Sequence, residues 1–331
     1  MPVTCRNAIC VPLRDERRNV VGLIRAIARQ DATLLASTIL VLSFDGADPV
    51  ATDLAAAALA EAPAVRATRI VIPRGEVPDA GRARAAAMDA GLASITEDGV
   101  LLTTDADTRP DRNWLAASIA ALETADLVCG HIRRRDAARD AWRLPMERYL
   151  DRLTDLRAAI DPIVHDPAPR HWNEGGASIA LTAAAYRAVG GVPRLPSGED
   201  RALVDAVRRH GLRVRHDPSV RVVTSSRAGG RATGGLADAI RAGRSSAAAG
   251  EQMVEHPAAV LARFAREADV RRAHVAGQAL PLYALDAATV RAARCAEALF
   301  DHAPGARGQP VPLAAAMCYL DEADVGGEIA A

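Results

Sequence analysis

Two aspartates separated by a single residue, Asp105 and Asp107, stand in the stretch Val100-Leu-Leu-Thr-Thr-Asp-Ala-Asp-Thr-Arg-Pro110. In an extended segment, side chains two apart point the same way. A pair of carboxylates so placed can hold a hard divalent cation through oxygen, and a cation held by few protein oxygens keeps open positions for a diphosphate. The competing reading is a polar turn in which Asp107 caps a helix beginning near Asp111. A second acidic group lies in Ser197-Gly-Glu-Asp200, which by spacing alone is a capping box for the helix that follows. A third segment, Trp172-Asn-Glu-Gly-Gly-Ala-Ser178, has two adjacent glycines that let backbone approach a partner closely.

The elements around these residues set where they can act. Val100 to Leu102 is a short apolar run between Gly99 and Pro110, read as a buried strand followed by a turn. Upstream, strands are expected at Ala8–Pro12, Thr38–Ser43 and Arg69–Ile72. Helices are expected from about Asn19 to Gln30, from Ala51 to Ala62, and from Asp79 to near Gly91. Downstream come a helix to about Glu123, a strand over Asp126–Ile132 and an amphipathic helical stretch over Ala137–Ile160 broken at Pro145. A further helix closes at Gly211, and an extended segment covers Val214–Val223. Strands alternating with helices predict an α/β fold with a mostly parallel sheet, whose ligands sit outside the carboxyl ends of the strands. Residues 1–235 would form this domain. Residues 236–331 read as a helical C-terminal appendage without strand signals, one that could support self-association.

Composition bounds the partners. The chain has 331 residues, half of them hydrophobic and a quarter charged, with a formal net charge of zero. That balance gives no basis for a nucleic-acid or anionic-membrane partner. There is no lysine, so all 41 basic residues are arginine, a bias that lowers the weight of any single arginine. No apolar run approaches the roughly 18 residues needed to span a bilayer, and no signal-peptide core opens the sequence, which predicts a cytoplasmic protein without a transmembrane segment. The cysteines (Cys5, Cys10, Cys129, Cys295 and Cys318) lack Cys-x-x-Cys spacing and read as buried small hydrophobes.

The order of the signals resembles one family. A strand ending in Val11-Pro12 with an acidic turn, an aspartate turn after the second strand, an Asp-x-Asp, an Asn-x-Gly-Gly segment and a Gly-Glu-Asp occur in that sequence in the family 2 glycosyltransferases of the GT-A fold. The likeness covers roughly residues 6 to 225. It implies a metal-dependent, inverting enzyme that moves a sugar from a nucleoside-diphosphate-sugar donor to a hydroxyl acceptor it does not identify. By the same resemblance Pro12 and Glu16 line the base and ribose, Asp45 sits near the base, and Arg84 lies near the base or phosphates. Asp105 and Asp107 hold Mg²⁺ or Mn²⁺, with His171 or His216 as a third ligand. Asp200 takes the place of the catalytic base, and Glu199 contacts acceptor or donor hydroxyls. Trp172 and Gly176 belong to the segment lining the sugar, while Arg227 and Arg231 would fold over the diphosphate. The sequence departs from the family in carrying Asp15 where an Asn is usual, and Phe44-Asp45-Gly46 where consecutive acids are common. Two rival readings are a sugar-1-phosphate nucleotidyltransferase and a non-catalytic nucleotide-binding scaffold. The first calls for a glycine-rich loop after the first strand, and Leu13-Arg-Asp-Glu-Arg-Arg18 has no glycine.

Overall fold

Alternate residues of the first strand face opposite ways, and each set meets its own layer of helices. In the computed structural model, which describes residues 5–74, 79–135, 142–225, 252–283, 286–302 and 307–325, strand β1 (Cys5–Leu13) sends Ile9, Val11 and Leu13 into one core and Ala8 and Cys10 into another. The first core is filled by α1 (Val20–Ile27), α3 (Pro49–Ala60) and α5 (Trp114–Ala121). The second is filled by α4 (Ala80–Leu92), α7 (Ala183–Ala188) and α8 (Glu199–Arg209). On α1 the large buried side chains are Val20, Leu23, Ile24 and Ile27, the face expected from sequence; each contributes about 1.5–3 kcal/mol through removal from water. A one-turn helix, α2 (Ala32–Ala36), capped by Asp31, precedes the second strand.

The eight-stranded sheet runs in the order β3-β2-β1-β4-β7-β6-β8-β5. Its members are β2 (Thr38–Asp45), β3 (Arg66–Ile72), β4 (Ile95–Thr103), β5 (Arg109–Pro110), β6 (Leu127–Arg134), β7 (Ile179–Thr182) and β8 (Val214–Thr224). Strand β1 lies between β2 and β4, parallel to both, so the chain changes direction across the sheet at β1. The crevice outside the carboxyl ends of β1, β2 and β4 is therefore the ligand position for such a sheet. Two short strands depart from parallel pairing: β7 runs antiparallel between β4 and β6, and β5 runs antiparallel to β8.

Other expectations are corrected in detail. The helix after the Asp-x-Asp starts at Trp114 with Asn113 at its cap, so Asp107 does not cap it. Pro145 lies in the first turn of α6 (Leu144–Ile160) rather than at a break, a position where proline's missing N–H costs nothing. Cys5, Cys10, Cys129 and Cys295 are buried, but Cys318 is exposed.

The chain divides into two units. The first comprises Met1–Arg139, Asn173–Val207 and Leu212–Ala242, and contains the large sheet. The second comprises Asp140–Trp172, Arg208–Gly211 and Gly243–Ala331, grouping α6 with the C-terminal elements. Its core is formed by Tyr149, Leu153 and Leu156 of α6, Val260 and Phe264 of α9 (Pro257–Ala276), and Leu313, Ala316 and Leu320 of α11 (Leu313–Val325). A smaller cluster joins Val270 to Val290 on α10 (Ala287–Ala292) and Leu299. Contrary to the all-helical expectation, β9 (Met253–Glu255) and β10 (Pro310–Pro312) form an antiparallel pair here. No described helix is long and apolar enough to cross a membrane.

Candidate functional site

The residues after β4 do not stay extended. The backbone N–H of Thr108 donates to the Asp105 carbonyl at 3.0 Å, closing a turn over Asp105–Thr108, so the two aspartates lie in a turn rather than on an alternating strand. Arg109 braces this turn: its Nη1 donates to the carbonyls of Thr108 at 2.8 Å and Ala106 at 3.4 Å. Gly22 of α1 leaves it room, since a Cβ there would come within 2.7 Å of the Arg109 Nε. Asp107 is buried, and its Oδ1 accepts from Thr224 Oγ1 at 3.4 Å, linking the turn to the end of β8.

One guanidinium ties the motif to distant parts of the chain. Arg84 projects from α4, buried, and donates from Nη2 to Asp105 Oδ1 at 2.9 Å and from Nε to Glu199 Oε1 at 3.0 Å. Its Nη1 donates to Thr103 Oγ1 at 2.8 Å and to the Gly176 carbonyl at 3.0 Å. Burial works against the Arg84 charge, but Asp105, Glu199 and Asp200 together hold its pKa above the ordinary arginine value. A Cβ at Gly176 would overlap Arg84 Cζ and Nη2 and lie 2.7 Å from Nη1. The close approach that this glycine permits is therefore to Arg84. The Gly176 N–H in turn donates to Asp200 Oδ2 at 2.8 Å, and the other Asp200 oxygen accepts from the Arg201 N–H. Asp200 thus turns toward Gly176 rather than back onto Ser197, and it is partly exposed while Glu199 is buried. Asp105, Gly176, Glu199 and Asp200 are brought together by these bonds.

The turns after β1 and β2 lie side by side, because Leu13 pairs with Phe44 in register. Asp45, at the end of β2, is buried between two arginines: Arg14 Nη1 donates to Oδ2 at 2.6 Å and Arg82 Nη2 to Oδ1 at 2.8 Å. Glu16 is also buried and accepts from Asn19 Nδ2 at 2.7 Å. Pro12 is partly exposed on β1 beside Ser43. Asp15 takes φ +53°, a conformation that Asp and Asn tolerate better than most side chains.

The remaining candidates have contacts of their own. His216, on β8, places Nε2 3.1 Å from Glu174 Oε1, while His171 belongs to the second unit, as does Trp172, whose indole N–H donates to Asp151. Arg227 and Arg231 lie outside the described residues. Sequence reasoning passed over Arg14, Arg82, Thr103, Arg109, Glu174 and Thr224. Among these, Arg82 had a readable signal: it stands two residues before Arg84 on a helix, so the two arginines must diverge. Among the described residues, no group of three or more His, Cys, Asp and Glu side chains is arranged to hold a metal. Asp105 and Asp107 supply two hard oxygen donors, a set that suits Mg²⁺ or Mn²⁺ when substrate phosphates and water complete the coordination.

Comparison with known proteins supports the fold and the family. The profile of Glycosyl transferase family 2 matches residues 8–172. The mannosyltransferase PcManGT from Pyrobaculum calidifontis, solved with GDP-Man and Mn²⁺, superposes with TM-score 0.51 at 17% identity, over 98% of this chain and 76% of that one. S. aureus TarS 1-349, solved with UDP-GlcNAc, superposes with TM-score 0.50 at 12% identity, over 82% and 73% of the two chains. No curated protein sequence matches significantly. With the sheet order, the turn after β4 and the profile match in agreement, the chain belongs to glycosyl transferase family 2 and has the GT-A fold.

Proposed function

We propose that the first unit carries out metal-dependent, inverting transfer of a sugar from a nucleoside diphosphate to a hydroxyl acceptor, with Asp105 and Asp107 as cation ligands and Asp200 as the base. The observation that supports this most is the Arg84 guanidinium. A single buried side chain bonds Asp105 of the Asp-x-Asp, Glu199 of the Gly-Glu-Asp and the Gly176 carbonyl, whose own N–H holds Asp200. The carboxylates of Asp105, Glu199 and Asp200 outnumber the one guanidinium they share, and that excess of negative charge suits a divalent cation.

When bound, the cation would supply charge that offsets the negative charge growing on the departing diphosphate. The remaining work falls to the chain. Pro12, Glu16 and Asp45 border the nucleoside, and Arg84 holds Asp105 and Glu199 in place. Glu199 is committed to Arg84, so Asp200, the more exposed of the adjacent pair, accepts the acceptor's hydroxyl proton. That oxygen bonds the anomeric carbon from the face opposite the diphosphate. The bond to the phosphate oxygen breaks and its electron pair leaves with the nucleotide.

Calorimetry with nucleoside diphosphates, with and without Mn²⁺, together with slow hydrolysis of the sugar donor, tests this. Asp105→Asn and Asp107→Asn should abolish the Mn²⁺ dependence of nucleotide binding. Asp200→Asn should lower turnover by about 10²-fold or more while leaving that binding intact. Normal turnover in the Asp200 variant, or equal nucleotide binding without the cation, would overturn the assignment.

A further inference from the structure

In the two turns that border the nucleoside, every carboxylate is already committed. Asp45 gives both oxygens to arginines, from Arg14 at 2.6 Å and Arg82 at 2.8 Å. Asp15 is clasped by Arg74 through two bonds of 3.0 and 2.9 Å. Asp48 holds Arg17 through both oxygens and caps α3, while Glu16 accepts from Asn19. Exposure follows the same division. The Asp45 side chain is 1% exposed, whereas those of Arg14 and Arg82 are 15% and 32% exposed. Gly46, at φ +89°, lets the chain turn tightly against Arg74 directly after Asp45. What this end of the sheet offers a ligand is therefore the N–H edges of guanidinium groups, and the carboxylates between them aim those edges.

Resting on the donor site described above, we propose that the nucleobase is read by arginine donors, chiefly Arg82 with Arg14, and that the site takes a guanine nucleotide. A guanidinium presents paired, coplanar N–H groups, and guanine answers them with two adjacent acceptors, O6 and N7. Adenine places a donor, N6, beside its N7. Uracil places an N–H beside its carbonyl oxygens and needs an acceptor that Asp45, already holding two cations, supplies poorly. Asp45 is then a positioning residue, fixing both guanidinium groups without touching the base.

Calorimetry in Mn²⁺ with GDP, UDP, CDP and ADP is the direct test on the wild-type chain. GDP should bind at least tenfold more tightly than UDP or ADP, equivalent to about 1.4 kcal/mol. Arg82→Lys keeps a charge for Asp45 but loses the paired donors, and it should bring GDP to within about threefold of UDP with UDP affinity unchanged. Binding of UDP, CDP or ADP as tight as GDP overturns the guanine assignment while leaving the donor site standing. A GDP preference that survives in both Arg82→Lys and Arg82→Gln overturns the role given to Arg82. If none of the four binds, the donor site itself falls.

Discussion

Replacing Arg84 with Met tests whether one buried guanidinium holds the site together. Arg84 is 5% exposed, and its loss acts unevenly on its partners. Asp105 has a side chain 37% exposed, so water replaces much of what it loses. Glu199 is 3% exposed and would be left as a buried, uncompensated charge. Removing one partner of a buried pair costs about 3–5 kcal/mol. At roughly 2–4 °C per kcal/mol for a unit of this size, the melting temperature should fall by roughly 6–20 °C. The double variant Arg84→Met with Glu199→Met removes both charges and fills the space with apolar side chains, a change that is often near neutral in a protein interior. It should recover most of the loss, to within about 1.5 kcal/mol of the parent. Urea unfolding followed by circular dichroism, with calorimetric melting as a second probe, measures all four corners of the cycle. A single variant within about 1 kcal/mol of the parent, or a double variant no better than the single, would refute the claim that Arg84 and Glu199 sustain each other.

Two further outcomes follow from the same geometry. Gly176→Ala forces a Cβ onto the Arg84 guanidinium; it should lower the urea midpoint and cut donor hydrolysis together, and a variant with both at parental values would show that the Arg84 seat is not needed. Asp217 accepts from the Ser219 N–H and hydroxyl and from Arg215 Nε. Burial pushes its pKa up, but these bonds outweigh burial and hold it below the usual carboxylate value. A depressed carboxyl contributes stability that is present above its unfolded pKa of about 4 and is lost as pH falls through the folded value. Asp217→Asn should therefore flatten the acid limb of the stability curve below about pH 4, and an unchanged acid slope would exclude that contribution.

Much of the first unit could be read from the chain, because its strands are apolar runs and its helices carry apolar stripes at regular spacing. Positions such as Val20, Leu23, Ile24 and Ile27 announce their side of α1. What escaped were elements too short to show a period. Strand β7 has four residues, Ile-Ala-Leu-Thr, and nothing in them distinguishes parallel from antiparallel pairing. Strand β10 is Pro-Val-Pro, and proline within a run argues against a strand except at an edge, where this one lies. In the site, the acidic motifs stood out by type and spacing. Their partners did not, since Arg14, Arg82 and Arg84 belong to a chain whose basic residues are all arginine, and contacts such as Arg84 with Glu199 span more than a hundred positions. The turn at Asp105–Thr108 was hidden for another reason: the apolar run before it suggests that extension continues.

The reach of Arg84 along the chain also fixes when this centre can come into being. During synthesis, β1 to β4 and the helices between them leave the ribosome first, and they include the guanidinium and Asp105. Gly176, Glu199 and Asp200 emerge much later, as does Thr224, which anchors Asp107. A nascent chain halted near its midpoint therefore holds a sheet with Arg84 poised on α4 and two of its four acceptors, Gly176 and Glu199, not yet made. Catalytic competence arrives late in translation, after the scaffold that will bear it.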